Sequence, residues 1–188
     1  RRGEKMSDEM IVRYCSPTLA NIKTANLFSC LYSSKQTVIH EIRSINQKLV
    51  PKGIRVLPIH MSKRRVLIYV YRPERLKRDL SDKTVRTFLE TRGYQCDNFV
   101  CCINRLIKKL REEPDFPHEI GLFLGYPLED VKSFIENKAD CSKCSGCWKV
   151  YGNEQEALKL FEKYQKCAGT YYAQWKKGMT IERLAVNS

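Results

Sequence analysis

The sequence lacks any apolar run that approaches the ~18 residues of a membrane span, and residues 1–13 contain no apolar segment typical of a secretion signal. It also lacks internal repeats, low-complexity tracts and linkers rich in glycine and serine. These absences predict a cytoplasmic protein with one continuous domain and no membrane partner. We expect that domain to cover residues 6–188. Met6 is a candidate start, so we expect residues 1–5 to be either disordered or foreign to the natural chain.

Histidine is scarce, with three residues in 188, and the familiar catalytic motifs are missing. There is no HExxH pair, no Ser-His-Asp order and no phosphate-binding P-loop. The helix-turn-helix, zinc-finger histidine pair and RNP signature of nucleic-acid-binding domains are also absent. The chain therefore identifies neither an enzyme class nor a nucleic-acid fold by motif.

Basic residues are abundant, with 34 Lys and Arg against 21 Asp and Glu, for a formal net charge of +13. Between residues 52 and 92 there are twelve basic and four acidic residues. This concentration favours a nucleic acid, an acidic protein partner or an anionic cofactor, and the nearby Tyr69 and Tyr71 suit base stacking. The candidate nucleic-acid contacts are Lys63, Arg64, Arg65, Arg75, Lys77 and Arg78.

Nine cysteines are present, and three of them stand at two-residue intervals in Cys141-Ser-Lys-Cys144-Ser-Gly-Cys147. Cys167 follows on the apolar face of the next predicted helix. In a reducing cytoplasm, clustered thiols indicate metal ligands more often than disulfides. A divalent metal or a cluster would also remove the repulsion among four thiolates. We therefore predict a zinc or iron–sulfur site formed by Cys141, Cys144, Cys147 and Cys167.

Two further places carry reactive side chains. Cys15 precedes Ser16-Pro17, where a helix is predicted to begin, and free amides at a helix start would lower the pKa of its thiol. Cys15 is therefore a candidate for redox chemistry or catalysis. His118 and Glu119 form a dipeptide that could supply a general base or a metal ligand.

The pattern of apolar residues predicts an α+β fold, with a small mixed or antiparallel sheet covered by helices. Residues 54–59 and 66–71 predict an antiparallel hairpin, in which Pro58 places the first strand at an edge. Residues 141–188 are predicted to form a cysteine-rich loop next to a C-terminal helical segment. Other predicted strands are 27–32, 120–124 and 148–151, and predicted helices begin at 16, 35, 83, 99, 127 and 154. The helix from residue 154 is predicted to end near Cys167, with separate helical turns at residues 171–177 and after Thr180.

Five segments carry a resemblance to a clostridial family known only as domain-of-unknown-function family thirty-seven ninety-three. They are Cys15-Ser-Pro-Thr-Leu-Ala20, Lys23-Thr-Ala-Asn-Leu-Phe28, Pro117-His-Glu-Ile-Gly-Leu-Phe-Leu-Gly-Tyr-Pro127, Phe134-Ile-Glu-Asn137 and Gly146-Cys-Trp-Lys-Val-Tyr-Gly152. The resemblance covers nearly the whole chain and implies a stand-alone cytosolic protein of an anaerobic Gram-positive bacterium, without implying an activity. It singles out Cys15, Lys23, His118, Glu119, Cys144, Cys147 and Cys167. Cys141 is the least typical of the four clustered cysteines, which leaves Cys15 or His118 as an alternative fourth ligand.

Three functional hypotheses follow. The first is a cytosolic protein that binds a cysteine-ligated metal, zinc or iron–sulfur, with a thiol-redox role for Cys15. The second is a nucleic-acid-binding module in which the metal is structural. The third is an enzyme that acts on a small anionic substrate through Cys15 or His118.

Overall fold

The computed structural model describes residues 6–137, 140 and 142–187. Of these, residues 6–74 and 166–187 form one compact unit, unit 1, and residues 75–165 form a second, unit 2. The predicted domain range of 6–188 includes both units. Within the described ranges, none of the helices has the length and apolar character that a membrane span requires.

The fold is mixed α+β with small antiparallel sheets, as predicted. The described helices are α1 (Asp8–Leu19), α2 (Lys35–Leu49), α3 (Pro73–Ser81), α4 (Lys83–Glu90), α5 (Phe99–Glu112), α6 (Ile120–Phe123), α7 (Leu128–Asn137), α8 (Glu154–Lys176) and α9 (Ile181–Leu184). The described strands are β1 (Ala25–Leu31), β2 (Arg55–Met61), β3 (Arg65–Tyr71), β4 (Cys144–Ser145) and β5 (Lys149–Val150).

Unit 1 contains a three-stranded antiparallel sheet in the order β1-β3-β2. The predicted hairpin of β2 and β3 is confirmed, and so is the edge position of Pro58, where the register of β2 shifts. Side chains alternate across a strand, so Phe28, Ile68 and Val56 share one face of this sheet. That face packs in a core with buried residues of α1, α2 and α9.

A buried arginine connects three segments of unit 1. Arg72 is 1% exposed, and its guanidinium donates hydrogen bonds to the carbonyl oxygens of Thr18 (2.7 Å), Leu19 (2.8 Å) and Val186 (2.7 Å). It also lies 3.3 Å from the carbonyl oxygen of Lys52. Arg72 lies in the basic stretch of residues 52–92 that suggested an acidic partner. Because its guanidinium is buried and bound to carbonyl oxygens, Arg72 does not contribute to a basic surface.

In unit 2, helices α4 to α7 are followed by the β4–β5 hairpin. Asp82 caps α4 by accepting from the amides of Thr84 and Val85, and Asn98 caps α5 by accepting from the amide of Val100. In α5 the apolar residues Ile103, Leu106 and Leu110 are buried, as their spacing predicts, whereas Val100 at the start of the helix is exposed.

Three sequence predictions of local structure are wrong. Residues 120–124 form no strand, because residues 120–123 are the short helix α6. Helix α1 begins at Asp8, capped by Ser7, so Cys15 lies inside the helix rather than before it. Helix α8 continues past Gly169 to Lys176, instead of ending near Cys167.

Candidate ligand pocket and cysteine hairpin

A pocket of about 250 Å³ opens in unit 2. Its wall is mainly apolar and comes from α6, α7 and the β4–β5 hairpin, with the loop residues that precede α6 and α7. The lining residues are His118, Ile120, Gly121, Tyr126, Asp130, Val131, Phe134, Trp148 and Lys149. This volume is slightly below the ~300–1,000 Å³ typical of ligand sites, so it suits a small ligand.

Asp130 fixes the hairpin wall of the pocket. One carboxylate oxygen, Oδ2, accepts a hydrogen bond from Trp148 Nε1 at 2.7 Å. The other, Oδ1, accepts from the backbone amides of Tyr151 (2.7 Å) and Gly152 (2.8 Å). Asp130 is 3% exposed, and its carboxylate accepts hydrogen bonds from three N–H donors. Its role in this structure is therefore to hold Trp148 in position.

Aromatic rings support the same wall from two sides. The ring of Tyr126 stacks on that of Trp148 with centroids 4.7 Å apart, and its hydroxyl donates to the carbonyl oxygen of Cys147 at 3.2 Å. Phe161 of α8 meets Trp148 edge-on at 4.6 Å. Since each ring is held by the others, the apolar surface of Trp148 is preorganised toward the pocket.

The β4–β5 hairpin, which carries Cys144 and Cys147, packs closely on α8. Gly146 lies between Cys144 and Cys147, and a β-carbon at Gly146 would stand 3.0 Å or less from three atoms of the Phe161 ring. Cys147 is exposed and Cys144 is half-buried. The hairpin therefore presents two thiols while its other residues shape the pocket wall.

His118 lies at the edge of the pocket and is exposed. Its ring contacts Phe134 edge-on at 5.0 Å and lies 5.7 Å from the ring of Phe116. His118 is one of the three residues predicted to be catalytic, and it lines this pocket.

The family of the chain is decided by comparison with protein-family models. The model for the family described as "Protein of unknown function (DUF3793)" matches residues 11–185. The chain belongs to this family. Comparisons with curated proteins and with solved structures give no match. In this DUF3793 member, three segments that carried the resemblance, around His118, Phe134 and Trp148, contribute to the pocket.

Glu119 is not available in this DUF3793 structure as a free general base. It is 2% exposed and accepts hydrogen bonds from Lys109 Nζ (2.9 Å) and Tyr94 Oη (3.0 Å). Burial alone would raise the pKa of Glu119, but the hydrogen bonds from Lys109, the backbone and Tyr94 together hold that pKa below its ordinary value. Glu119 instead joins α5 to the start of α6.

Cys15 lacks the helix-start surroundings that would make its thiol reactive. Cys15 is 0% exposed, and burial raises the pKa of its thiol, an effect that the nearby Lys23 only partly opposes. The helix start that was expected to lower this pKa lies seven residues earlier, at Asp8. Lys23 is also buried, at 6% exposure.

The predicted metal ligands belong to different parts of the chain. Cys144 and Cys147 belong to unit 2 and Cys167 to unit 1, while Cys141 lies outside the described residues. Among residues 6–137, 140 and 142–187, no three His, Cys, Asp or Glu side chains are arranged so that they could hold a metal ion. The four-cysteine site stays a prediction.

The six predicted nucleic-acid contacts are also divided between the units. Lys63 and Arg64 are exposed in the turn before β3, and Arg65 donates to Ser29 Oγ at 2.9 Å. The other three cations belong to unit 2, where Lys77 and Arg78 are exposed and Arg75 is half-buried. The tyrosines proposed for base stacking, Tyr69 and Tyr71, are 0% and 4% exposed, so neither presents a ring face to solvent. The nucleic-acid interface stays a prediction.

Sequence reasoning missed Asp130, Tyr126 and Trp148 as parts of a site. Trp148 was assigned to a strand, which is confirmed for the two residues after it. A tryptophan beside a cysteine turn was the available signal, because a large amphipathic ring often lines a pocket. Asp130 carried no signal, since a single acidic residue in the first turn of a helix is common.

Proposed function

We propose that the protein binds a small molecule with a planar apolar body and a carboxylate or comparable anionic group. The observation that carries this proposal is the pocket of about 250 Å³ in unit 2, with the fixed ring of Trp148 in its wall. Apolar pockets with a few polar groups at fixed positions are typical ligand sites. The proposal retains the small anionic substrate of the third sequence hypothesis and places it beside His118.

The planar body of the ligand is inferred from the shape of the wall. Trp148, Tyr126 and Phe134 contribute flat surfaces, and the hydrogen bonds of Trp148 and Tyr126 restrict their rotation. A planar ring can stack on or meet such surfaces edge-on with little loss of conformational freedom.

The anionic group is inferred from the charges that line the pocket. Lys149 supplies a cation, and His118 supplies ring nitrogens that can donate a hydrogen bond. The one carboxylate in the lining, Asp130, shares its charge with three N–H donors. The ammonium group of Lys149 would therefore attract an anionic group of the ligand. The carboxylate of Asp130 would repel that group only weakly, because three N–H donors already offset its negative charge.

The test uses 2-naphthoate and its uncharged counterpart 2-naphthamide. Fluorescence of Trp148 is followed in a Trp175→Phe variant, which leaves Trp148 as the sole tryptophan. We expect saturable fluorescence changes with both probes and tighter binding of the carboxylate by about two- to fivefold, the effect of one partly exposed ion pair. Lys149→Gln should remove that preference, whereas Lys159→Gln, an exposed lysine of α8 outside the lining, should retain it.

Val131→Phe provides a second variant because the added ring would fill part of the pocket. It should weaken both probes by more than about tenfold, the loss of one buried apolar contact. Absence of saturation with either probe would overturn the binding proposal. Equal affinity for the two probes would overturn the anionic part alone.

A second proposal is the cysteine-ligated metal, zinc or iron–sulfur. It is supported by the position of Cys144 and Cys147, a Cys-x-x-Cys pair in a short hairpin, which is the local form that zinc sites use. Its other ligands, Cys141 and Cys167, its redox role and the cytoplasmic location that favours reduced thiols are parts of the same proposal.

A further inference from the structure

Cys96 and Cys102 lie close together in unit 2, far along the chain from the predicted metal cysteines. The thiol of Cys102 donates to Cys96 Sγ at 3.7 Å and also lies 3.3 Å from the carbonyl oxygen of Gln95. A disulfide needs sulfurs about 2.03–2.05 Å apart, so the two atoms must approach by roughly 1.7 Å. Cys96 precedes the N-cap of α5 by two residues, in a segment with no helix or strand that can make this adjustment.

The two thiols differ in their access to solvent. Cys96 is half-buried and lines a surface pocket of about 300 Å³ with residues of α3 and of the segment before α5. Cys102 is 0% exposed. A reagent that enters this pocket therefore meets Cys96 first, while Cys102 is placed to attack a modified Cys96 from inside the fold.

We propose that Cys96 and Cys102 form a reversible disulfide by exchange with a small-molecule disulfide. In the first step the Cys96 thiolate attacks one sulfur of the reagent, which forms a mixed disulfide and releases one small thiolate. In the second step the Cys102 thiolate attacks Cys96 Sγ, which forms the protein disulfide and releases the second small thiolate. Two protein thiols are oxidised, the reagent is reduced to two thiols, and the protons lost by the cysteines are taken up by those thiolates.

The charges around the pair set its pH dependence. Burial raises the pKa of Cys96 and raises that of Cys102 to about 12. At Cys96 the hydrogen bond from Cys102 and the charge of Arg86 lower the pKa, while Glu90 and Asp97 raise it. At Cys102 the neighbouring Cys96 and Cys101 raise the pKa further and Arg86 lowers it. Only the thiolate reacts, so exchange should be slow at neutral pH and should accelerate as the pH rises from 7 to 9.

The experiment treats the fully reduced Cys101→Ser protein with 2-hydroxyethyl disulfide. The substitution leaves Cys96 and Cys102 as the cysteines of the tryptic peptide that spans residues 93–105. Cleavage before Asp97 then separates the two cysteines, so the halves stay joined only through a disulfide. At equilibrium in a buffer of 2-hydroxyethyl disulfide and its thiol, we expect the bridge to be favoured at least about tenfold more in folded protein than in protein unfolded with urea, because folding holds the sulfurs together.

Two single variants separate the steps. Cys102→Ser should accumulate the mixed disulfide at Cys96, and Cys96→Ser should leave Cys102 unmodified in the folded protein. Equal equilibrium constants for the bridge with and without urea, or a mixed disulfide at Cys96 that never proceeds to the bridge in Cys101→Ser protein, would overturn the proposal. The pocket beside His118 takes no part in these steps, so this result is independent of the proposed ligand.

Discussion

Gly146 occupies a position where a side chain of any size would meet the ring of Phe161. Its φ is not in the left-handed region that favours glycine, so the constraint is one of space and not of backbone conformation. Gly169, in the interior of α8, is the opposite case, because a β-carbon there would have no neighbour within 4 Å. The two glycines form a matched pair.

Gly146→Ala should lower the free energy of unfolding by about 1–3 kcal/mol, the usual effect of an added group in a close-packed place. Gly169→Ala should raise it by about 0.5–1 kcal/mol, because alanine is the better helix former. Urea unfolding of both variants measures the two changes. A Gly146→Ala protein as stable as the parent would show that the hairpin does not pack on Phe161 as described.

At the scale of elements, the sequence predicted most helices and the β2–β3 hairpin because their apolar periodicity is long and regular. Residues 120–124 are five consecutive residues of apolar character, a pattern that fits a buried strand and a buried helix equally. Gly125, with φ of 78°, follows the end of α6. A glycine at this position can end a strand as well as a helix, so it did not distinguish the two in the sequence.

The extent of α8 was mispredicted for a different reason. A glycine inside a helix costs only about 1 kcal/mol relative to alanine. Beyond Gly169, Tyr171 and Trp175 pack against the core of unit 1. Burial of two large rings outweighs that cost, but which residues are buried depends on tertiary packing that periodicity does not reveal.

The candidate pocket was only partly predictable. His118 could be singled out because histidine is rare and chemically versatile, and Glu119 was chosen only for being its neighbour. The structure separates them: the histidine lies exposed beside the pocket and the glutamate is buried with Lys109. This separation arises because consecutive residues at a helix start point in different directions.

The contact between α5 and the start of α6 predicts a specific pH dependence. The pKa of Glu119 in the folded protein lies below its ordinary value of 4.5. The pair with Lys109 therefore stabilises the fold above about pH 4.5, and that stabilisation is lost as the pH falls through the lowered pKa. Glu119→Gln should lower the free energy of unfolding at pH 7 by about 1–3 kcal/mol. This is less than the cost of a buried charge with no partner, because Lys109 loses its closest carboxylate but keeps Glu113 at 3.5 Å.

The difference between parent and Glu119→Gln should shrink when urea unfolding is repeated near pH 3. Glu112→Gln is the matched control, since Glu112 is exposed and pairs with the exposed Lys108 at 3.8 Å. That variant should change stability by less than about 1 kcal/mol. A pH-independent difference for Glu119→Gln would contradict the assigned ion pair.

At the scale of the whole molecule, the four-cysteine metal site can be tested directly. Elemental analysis of anaerobically purified protein should find about one zinc ion, or the iron and sulfide of a cluster, per chain. Cys147→Ser should lose this metal, and so lower the melting temperature, because metal binding contributes to folding stability. Cys101→Ser, an exposed cysteine outside the set, should retain both metal and melting temperature. Protein without metal after anaerobic purification would exclude the site.

The hydrogen bonds that Arg72 donates within unit 1 have a consequence for the order in which the chain folds during synthesis. Unit 2 is a continuous stretch of chain, whereas unit 1 combines residues 6–74 with residues 166–187. The ribosome makes residues 75–165 before it makes Val186, whose carbonyl oxygen accepts from the Arg72 guanidinium. During synthesis, unit 2 therefore has all of its residues while the cation of Arg72 still lacks this acceptor. The half-made chain already contains the acceptors at Thr18, Leu19 and Lys52, so the hydrogen bond to Val186 is the member of this set that forms last.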